Sequence, residues 1–304
     1  MTAAGDSEEA PLCLPPRAAA SAPRRRLPFG SVDCHCHVYE PGSERSWAPG
    51  RSYTPSPAGL EAYLALCEAI GISRTVQVNA STFGLDNTPT LDVLRALGPA
   101  RARGVAAIDP RAIDGAELEC LHQAGFRGVR LSTHVKGYGG TELLDAAAAR
   151  IAPFGWHVQL HVAQAGELAE HEAALHRLKA PLVFDHLGCV RGEEGADAPG
   201  FRALLRLLQG RDDRWVKLSS WYRRSAAGPP GYADVAPLVR ALVAARPDRV
   251  VFGTNWPHPN LFAPATVPDD GRLVDLLREW VPDEVALEGI LLRNPEKLYG
   301  FDPI

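Results

Sequence analysis

Short apolar runs alternate with helix-like segments along most of this chain. Eight runs have the length and composition of buried strands, near residues 31–37, 75–79, 104–108, 127–132, 156–162, 181–186, 215–219 and 250–254. Between them, leucines recur at the spacing of an amphipathic helix. This alternation predicts an α/β fold, a single (β/α)₈ TIM barrel. A doubly wound open sheet is the rival, but no GxGxxG follows the first strand and there is no Walker motif.

Length and charge narrow the classes of function. A chain of 304 residues suits one barrel of this type. The net charge of −4 gives no support for nucleic acid as a partner. No apolar run approaches the ~20 residues of a membrane span. The six cysteines form no CxxC pair, so we expect reduced thiols in a cytoplasmic protein.

The N-terminal segment differs in composition from the rest. Residues 1–28 are rich in alanine and proline, and their basic cluster at 24–26 follows a run that is not apolar enough for a secretory signal. We therefore predict a disordered leader over residues 1–28 and the barrel over residues 29–304. The sequence leaves open whether the protein is a monomer or a homo-oligomer.

The loops that follow the strands of a TIM barrel share one rim, so residues distant in sequence meet there. On the first strand, alternation predicts that Asp33, His35 and His37 lie on one face. The predicted rim is rich in imidazoles and cations, which suits a small anionic molecule. Its members are His35, His37, Tyr53, Ser81, Arg130, Lys136, His161, His186, Arg223, Asn255, His258 and Asn260.

The segment after the eighth strand carries three of these polar side chains. Gly253 permits a close backbone approach, and the prolines at 257 and 259 prevent a helix from starting. Asn255, His258 and Asn260 therefore lie on an irregular segment after the end of a strand, where the active-site residues of barrel enzymes are found.

The His-x-His pair on the first strand has two interpretations. It can place two imidazoles on a metal, with zinc held by His35, His37 and His186, or the histidines can be structural. A serine nucleophile is less favoured, because there is no GxSxG motif.

Several motifs together resemble one enzyme superfamily. They are Asp33-Cys-His-Cys-His37, Gly128-Val-Arg130, Phe184-Asp-His186 and Gly253-Thr-Asn-Trp-Pro-His-Pro-Asn260. The set resembles the amidohydrolase superfamily and, within it, the 2-pyrone-4,6-dicarboxylate lactonases and sulfomuconolactone hydrolases. The resemblance covers about residues 29–300.

This resemblance implies a hydrolase that opens the lactone ring of a small polyanionic intermediate of aromatic-compound degradation. His35, His37 and His186 would surround the scissile carbonyl without a metal or other cofactor. The implied substrate-binding residues are Tyr53, Ser81, Arg130, Lys136, Arg223, His258 and Asn260.

Two positions depart from the family pattern. Asn255 stands where the family has the aspartate that takes a proton from water, and an amide has no useful basic site near neutral pH. The amide is either an engineered change or a natural variant that uses another base, such as a histidine on the rim. Lys136 replaces an arginine, which leaves a sulfonate-bearing or less substituted lactone open.

Two alternative functions follow from these departures. One is a metal-dependent decarboxylase of the same superfamily, with zinc on His35, His37 and His186. The other is a catalytically silent lactone-binding protein, which Asn255 alone suggests.

Overall fold

Eight parallel strands form one sheet in sequence order, as the barrel prediction requires. The structure is a computed structural model and describes residues 10–136 and 138–304. The strands are short and buried, and their bounds are β1 Val32–Cys36, β2 Arg74–Val78, β3 Ala102–Ala106, β4 Phe126–Ser132, β5 His157–His161, β6 Leu182–Phe184, β7 Arg214–Leu218 and β8 Val250–Phe252.

Helices surround the strands, and each of the eight predicted strands is present within about two residues of its expected ends. A five-residue π-helix, Gly289–Arg293, joins the tenth helix to the eleventh. The bounds are α1 Leu60–Ile70, α2 Thr88–Leu97, α3 Gly115–Gln123, α4 Leu144–Ile151, α5 Gly166–Glu170, α6 Glu172–Arg177, α7 Pro199–Gly210, α8 Ala236–Ala245, α9 Asp270–Trp280, α10 Glu284–Glu288 and α11 Asn294–Tyr299.

The barrel closes where the segment after β8 meets β1. The backbone N–H of Asn255 donates to the carbonyl oxygen of His35 at 2.7 Å, and that of His37 donates to Trp256 at 2.8 Å. A Cβ on Gly253 would lie 2.7 Å from the Cβ of His35. The predicted close approach at Gly253 is therefore confirmed, and it brings Asn255 beside the two histidines of β1.

Two apolar layers hold the barrel. A large cluster fills the space between strands and helices, and a smaller one fills the interior of the barrel. Tyr299 and Phe301, at the end of α11, belong to the interior cluster with valines of five strands. The amino-terminal end of the barrel is thus filled with apolar side chains, which leaves the carboxyl ends of the strands for polar groups. Among the described residues no helix is long and apolar enough to cross a membrane.

The first strand contains an irregularity that the sequence did not predict. Its pairing with β2 shifts by one residue between Asp33 and Cys36. Asp33 consequently faces α1, where Tyr63 donates to its carboxylate at 2.9 Å, while the rings of His35 and His37 lie 5.2 Å apart near the barrel interior. The prediction that Asp33 shares a face with the two histidines is wrong, because a bulge interrupts the alternation of side chains.

The N-terminal segment lies along the barrel from residue 10 onwards. The N–H of Cys13 donates to the carbonyl of Thr54 at 2.8 Å, and the N–H of Ser21 donates to Asp269 Oδ1 at 3.0 Å. A disordered leader would lack such contacts, so the prediction of disorder does not hold for residues 10–28. The first nine residues of the predicted leader lie outside the described residues.

Candidate active site

A cavity opens at the carboxyl ends of the strands. Its wall contains nine of the twelve residues predicted for the rim, namely His37, Tyr53, Ser81, Arg130, His161, His186, Arg223, Asn255 and Asn260. His134, Val135, Arg224 and Pro259 complete it. The rim prediction therefore located most of this wall correctly.

Five imidazoles form a continuous line of ring contacts through the site. The ring centroids of His35 and His37 are 5.2 Å apart, and those of His35 and His186 are 4.7 Å apart. The line continues from His186 to His161 at 5.1 Å and from His161 to His134 at 5.0 Å. The three histidines predicted to surround the scissile carbonyl are thus brought together.

Asp185 is the fully buried anion at the centre of this cluster. Arg130 Nε donates to its Oδ2 at 2.9 Å, Arg130 Nη2 lies 2.9 Å from the same oxygen in an ion pair, and Gln159 donates a second hydrogen bond at 3.1 Å. Lys217 Nζ lies 3.8 Å from Oδ1. Burial alone would raise the pKa of Asp185, but Arg130 and Lys217 hold it well below its usual range. The carboxylate therefore stays ionised and neutralises part of two buried positive charges.

Hydrogen bonds fix which ring nitrogen carries the proton in two histidines. His37 Nδ1 donates to the carbonyl of Val78 at 2.8 Å, which leaves Nε2 with a free lone pair. His161 Nδ1 receives an N–H from Arg130 at 3.1 Å, so its hydrogen lies on Nε2. That Nε2 is buried and has no partner among the described residues. Neutral His161 is therefore a ready hydrogen-bond donor in the cavity wall.

Burial keeps these imidazoles neutral. It lowers the pKa of His37 to about 3, with the charge of Arg130 as a further cause. Burial and nearby positive charges also lower the pKa of His35 and His161 well below the ordinary value. Burial has the same effect on His186, despite the opposing charge of Asp185. At neutral pH the line of rings thus supplies N–H donors and lone pairs, not positive charge.

The uncompensated cations of the cavity wall are Arg223 and Arg224. Both are half-buried. Nε and Nη2 of Arg223 and Nε of Arg224 are buried and lack a hydrogen-bond partner among the described residues. Arg130 differs from both, because Asp185 already occupies its guanidinium. Burying donors without partners is costly, so this pair is suited to an anion that enters from outside.

Asn255 sits in the left-handed region of the backbone, with φ of 61°. Its side-chain Nδ2 donates to Tyr222 Oη at 2.8 Å and to Ser220 Oγ at 3.3 Å. Those two bonds fix the amide orientation and leave Oδ1 as the polar atom available to the cavity. The side chain thus offers an acceptor at the position where the sequence resemblance implies a carboxylate.

Three of the predicted site residues are not in the cavity wall. His35 is fully buried behind it. His258 is also buried, with Nδ1 3.0 Å from Tyr222 Oη and Nε2 3.1 Å from Asp270 Oδ2. Lys136 is exposed on the loop after β4. Substrate binding by His258 and Lys136 remains a prediction that this geometry does not favour.

Comparison with known proteins agrees with this architecture. The sequence model of the amidohydrolase family matches residues 32–301. The chain belongs to the amidohydrolase family.

Curated relatives of this amidohydrolase cover nearly its whole length. A 2-pyrone-4,6-dicarboxylate hydrolase of Comamonas testosteroni is 38% identical over 92% of this chain and 93% of its own. A 4-sulfomuconolactone hydrolase of Hydrogenophaga intermedia is 36% identical over 96% of both chains. A D-galactarolactone isomerase of Agrobacterium fabrum is 35% identical over 93% of this chain and 96% of its own. Each of these three names refers to a lactone, since a 2-pyrone is an unsaturated cyclic ester.

Within residues 10–136 and 138–304, one group of side chains could be considered for a metal. His35, Asp185 and His186 each offer a ligand atom within 4.8 Å of the others, a set that differs from the predicted one by Asp185 in place of His37. However, Asp185 already balances Arg130 and Lys217. A divalent cation would share this single carboxylate with two buried cations, so these residues do not fit a divalent metal.

Sequence reasoning missed several residues around the cavity of this amidohydrolase. Arg224 directly follows Arg223 in the predicted loop after β7, so a signal for it was present. Lys217 was hidden within a strand that reads as apolar. The role of His258 depends on Asp270, whose position at the start of α9 cannot be deduced from spacing.

The His258–Asp270 contact makes a prediction about stability. Burial alone would lower the pKa of His258, but the charge of Asp270 and contact with Tyr222 raise it to about 9. Because the folded value exceeds the unfolded value of ~6.5, the stabilisation is fully present below about pH 6.5 and is lost as pH rises through about 9. We expect His258→Asn to lower the free energy of unfolding by up to about 3 kcal/mol near pH 6, measured by urea denaturation.

The control for this measurement is the double variant His258→Asn with Asp270→Asn, which also removes the unpaired carboxylate. The loss in His258→Asn should shrink as pH approaches about 9. A loss of equal size at both ends of this range would show that His258 does not carry the expected charge.

Proposed function

We propose that this amidohydrolase hydrolyses the lactone ring of a small anionic intermediate of aromatic-compound degradation, similar to 2-pyrone-4,6-dicarboxylate. The observation that carries the proposal is the pair Arg223 and Arg224, which face the cavity with unpaired guanidinium donors. The names of the relatives from Comamonas and Hydrogenophaga support the same substrate class.

The two arginines would hold the anionic groups of the substrate. Guanidinium forks bind carboxylates and sulfonates through paired N–H donors. Tyr53 and Ser81, from the loops after β1 and β2, supply hydroxyls to the cavity wall, and Asn260 adds an amide. Such a wall orients a small polyanion and excludes an uncharged lactone, which would leave both arginines unpaired.

The imidazole line would polarise the scissile carbonyl. His161 carries its N–H on Nε2, because its Nδ1 accepts a hydrogen bond from Arg130. His35 Nε2 is likewise buried without a partner among the described residues, and Lys217 lies 3.3 Å from its Nδ1. A protonated Lys217 would donate to that Nδ1 and place the hydrogen of His35 on Nε2. Fixed N–H donors of this type stabilise the negative charge that develops on the carbonyl oxygen when water adds.

We further propose that the reaction uses no metal or other cofactor and takes place in the cytoplasm. The charge balance around Asp185 supports the first point. All six cysteines are free, and five of them are buried, which suits a reducing compartment. The same charge balance disfavours a zinc-dependent decarboxylase, because the zinc would need a carboxylate that Arg130 and Lys217 do not already neutralise.

The direct test follows ring opening of 2-pyrone-4,6-dicarboxylate by ultraviolet absorbance. We expect turnover by the unmodified chain that a chelator does not reduce. The variant Asn255→Asp, which restores the carboxylate of the family pattern, serves as a comparison because aspartate tolerates the same left-handed backbone. Absence of turnover in both chains, with this substrate and with a sulfonate-bearing lactone, would refute the hydrolase proposal.

Lactone isomerisation is a second candidate. One curated relative is named as a D-galactarolactone isomerase, and Asn255 lacks the basicity to activate water. In an isomerisation a hydroxyl of the substrate replaces water as nucleophile, so the ring oxygen changes without net hydrolysis. Reaction in ¹⁸O-labelled water separates the two, because hydrolysis places one labelled oxygen in the product and isomerisation places none.

A further inference from the structure

Residue 255 is an amide where the resemblance implies a carboxylate base, and the imidazoles of the cavity wall are poor replacements. His37 keeps a free lone pair on Nε2, but its pKa of about 3 makes it a weak proton acceptor. His161 and His186 also have a pKa well below the ordinary value because of burial. A base matched to neutral or mildly alkaline pH must therefore come from another group near Asn255.

A chain of hydrogen bonds leads from Asn255 away from the cavity. Asn255 Nδ2 donates to Tyr222 Oη at 2.8 Å. Tyr222 Oη lies 3.0 Å from His258 Nδ1, and His258 Nε2 lies 3.1 Å from Asp270 Oδ2. All four residues are buried. A carboxylate, an imidazole and a hydroxyl follow each other here in the order found in catalytic triads, with a phenol in the position of the nucleophile.

The geometry permits one proton to occupy either side of the contact between Tyr222 and His258. With the proton on Tyr222, its O–H donates to the lone pair of His258 Nδ1. With the proton on His258, its Nδ1–H donates to the phenolate, which also accepts from Asn255. Asp270 accepts from His258 Nε2–H in both states. No heavy atom has to move for the proton to cross.

We propose that Asp270, His258 and Tyr222 form a proton relay that replaces the missing carboxylate as the general base at Asn255. This inference rests on the proposed lactone hydrolysis. The attacking water would bind in the cavity against Asn255, which lines the wall, and would reach Tyr222 Oη directly behind that amide. In the ionised pair, the phenolate of Tyr222 lies beside protonated His258 and accepts a proton from the water as the new bond to the lactone carbonyl forms.

The proton count closes over one turnover. Water contributes one proton to Tyr222 and its hydroxide to the acyl carbon. The bond between the acyl carbon and the ring oxygen then breaks, and the ring oxygen receives a proton from the relay. The products are the ring-opened acid and a relay in its starting state, so no oxidant, reductant or further reactant is required.

The charges that face the relay favour its ionised state. Burial alone would raise the pKa of Tyr222, but the positive charges of His258 and Arg223 lower it to about 8. Asp270 faces His258 from α9 and holds its proton. Tyr232, from the loop after β7, is near Tyr222, and burial raises its pKa to about 12. Cys67, from α1, is near Asp270, and burial raises the pKa of its thiol. The phenolate of Tyr222 is therefore populated, beside protonated His258, in the pH range where a general base is effective.

The first experiment needs no substrate. We expect the tyrosinate absorbance of the full chain to show one tyrosine that ionises near pH 8, since burial raises the pKa of each of the other six. Tyr222→Phe should abolish this transition, and the control Tyr232→Phe should retain it. A chain in which no tyrosine ionises below about pH 10 overturns the relay.

The second experiment is a double-variant cycle on turnover. Tyr222→Phe should lower kcat at least ~100-fold when residue 255 is asparagine, the usual contribution of a general base. The same substitution in the Asn255→Asp background should cost less than about 5-fold, because the restored carboxylate takes over the proton. Equal losses in both backgrounds would show that Tyr222 only supports the structure.

The two experiments separate failure of the relay from failure of the proposed function. If neither chain opens any lactone, including Asn255→Asp, the hydrolase proposal is wrong and the relay as its general base is wrong with it. If Asn255→Asp opens the lactone while the asparagine chain gains nothing from Tyr222, only the relay is wrong.

Discussion

Replacing Arg130 with methionine is expected to destabilise the protein by about 3 kcal/mol and to lower turnover at least ~100-fold. Arg130 is the main partner of Asp185, a carboxylate with no exposed surface. Without it, a buried negative charge remains with Lys217 at 3.8 Å as its nearest cation. The same guanidinium fixes the proton of His161 on Nε2, so its loss also removes an ordered donor from the cavity.

The double variant Arg130→Met with Asp185→Asn provides the control. It removes the charge together with its partner, so most of the stability should return while turnover stays low. The stability loss of Arg130→Met should be largest near neutral pH. The folded pKa of Asp185 is depressed, so its contribution is present above the unfolded value of about 3.9 and is lost as pH falls below it. A loss that persists in the double variant would contradict the ion-pair explanation.

The second large effect is expected at the two arginines of the cavity wall. Arg223→Ala and Arg224→Ala should each raise KM for a dianionic lactone roughly 10- to 100-fold, because each removes charge-assisted hydrogen bonds worth about 1.5–3 kcal/mol. The value of kcat should change less, since the anionic groups keep their charge through the reaction. Steady-state kinetics on a mono- and a dianionic lactone measures both effects.

Matched variants make the arginine result specific. Arg224→Lys should recover only part of the affinity, because lysine offers a point charge without the planar fork. Arg191→Ala removes the same charge from an exposed position and should leave KM unchanged. Lys136→Ala tests the residue that the sequence predicted for this role, and its exposure leads us to expect a smaller effect than at Arg224. A larger effect at Lys136 would place the second anion site on the loop after β4.

The barrel could be predicted from the sequence because its strands are buried on both faces. Such strands are continuous apolar runs, and eight of them with helices between leave few alternative folds. The bulge in β1 could not be predicted in this way. It depends on how Asp33 pairs with α1 and with the segment after β8, and these partners are about 30 and 220 residues away in the chain.

The location of the candidate site could be predicted, but not which of its charged side chains are already paired with each other. Strand ends indicate which side chains meet at the rim. They do not indicate that Arg130 is occupied by Asp185, while buried donors of Arg223 and Arg224 have no hydrogen-bond partner in the described part of the chain. The N-terminal segment gave a similar error, since its composition suggested disorder while Cys13 Sγ accepts the N–H of Asn260 beside the cavity.

The left-handed backbone at residue 255 has a consequence for how this site can evolve. With φ of 61°, the position strains most side chains but accommodates asparagine and aspartate. A single nucleotide change exchanges these two residues, and it leaves the main chain undisturbed. A carboxylate can therefore be gained or lost here in one mutational step, while most other side chains would cost about 1–2 kcal/mol in backbone strain. The presence of a carboxylate at residue 255 can thus change in either direction during evolution while the main chain keeps its conformation.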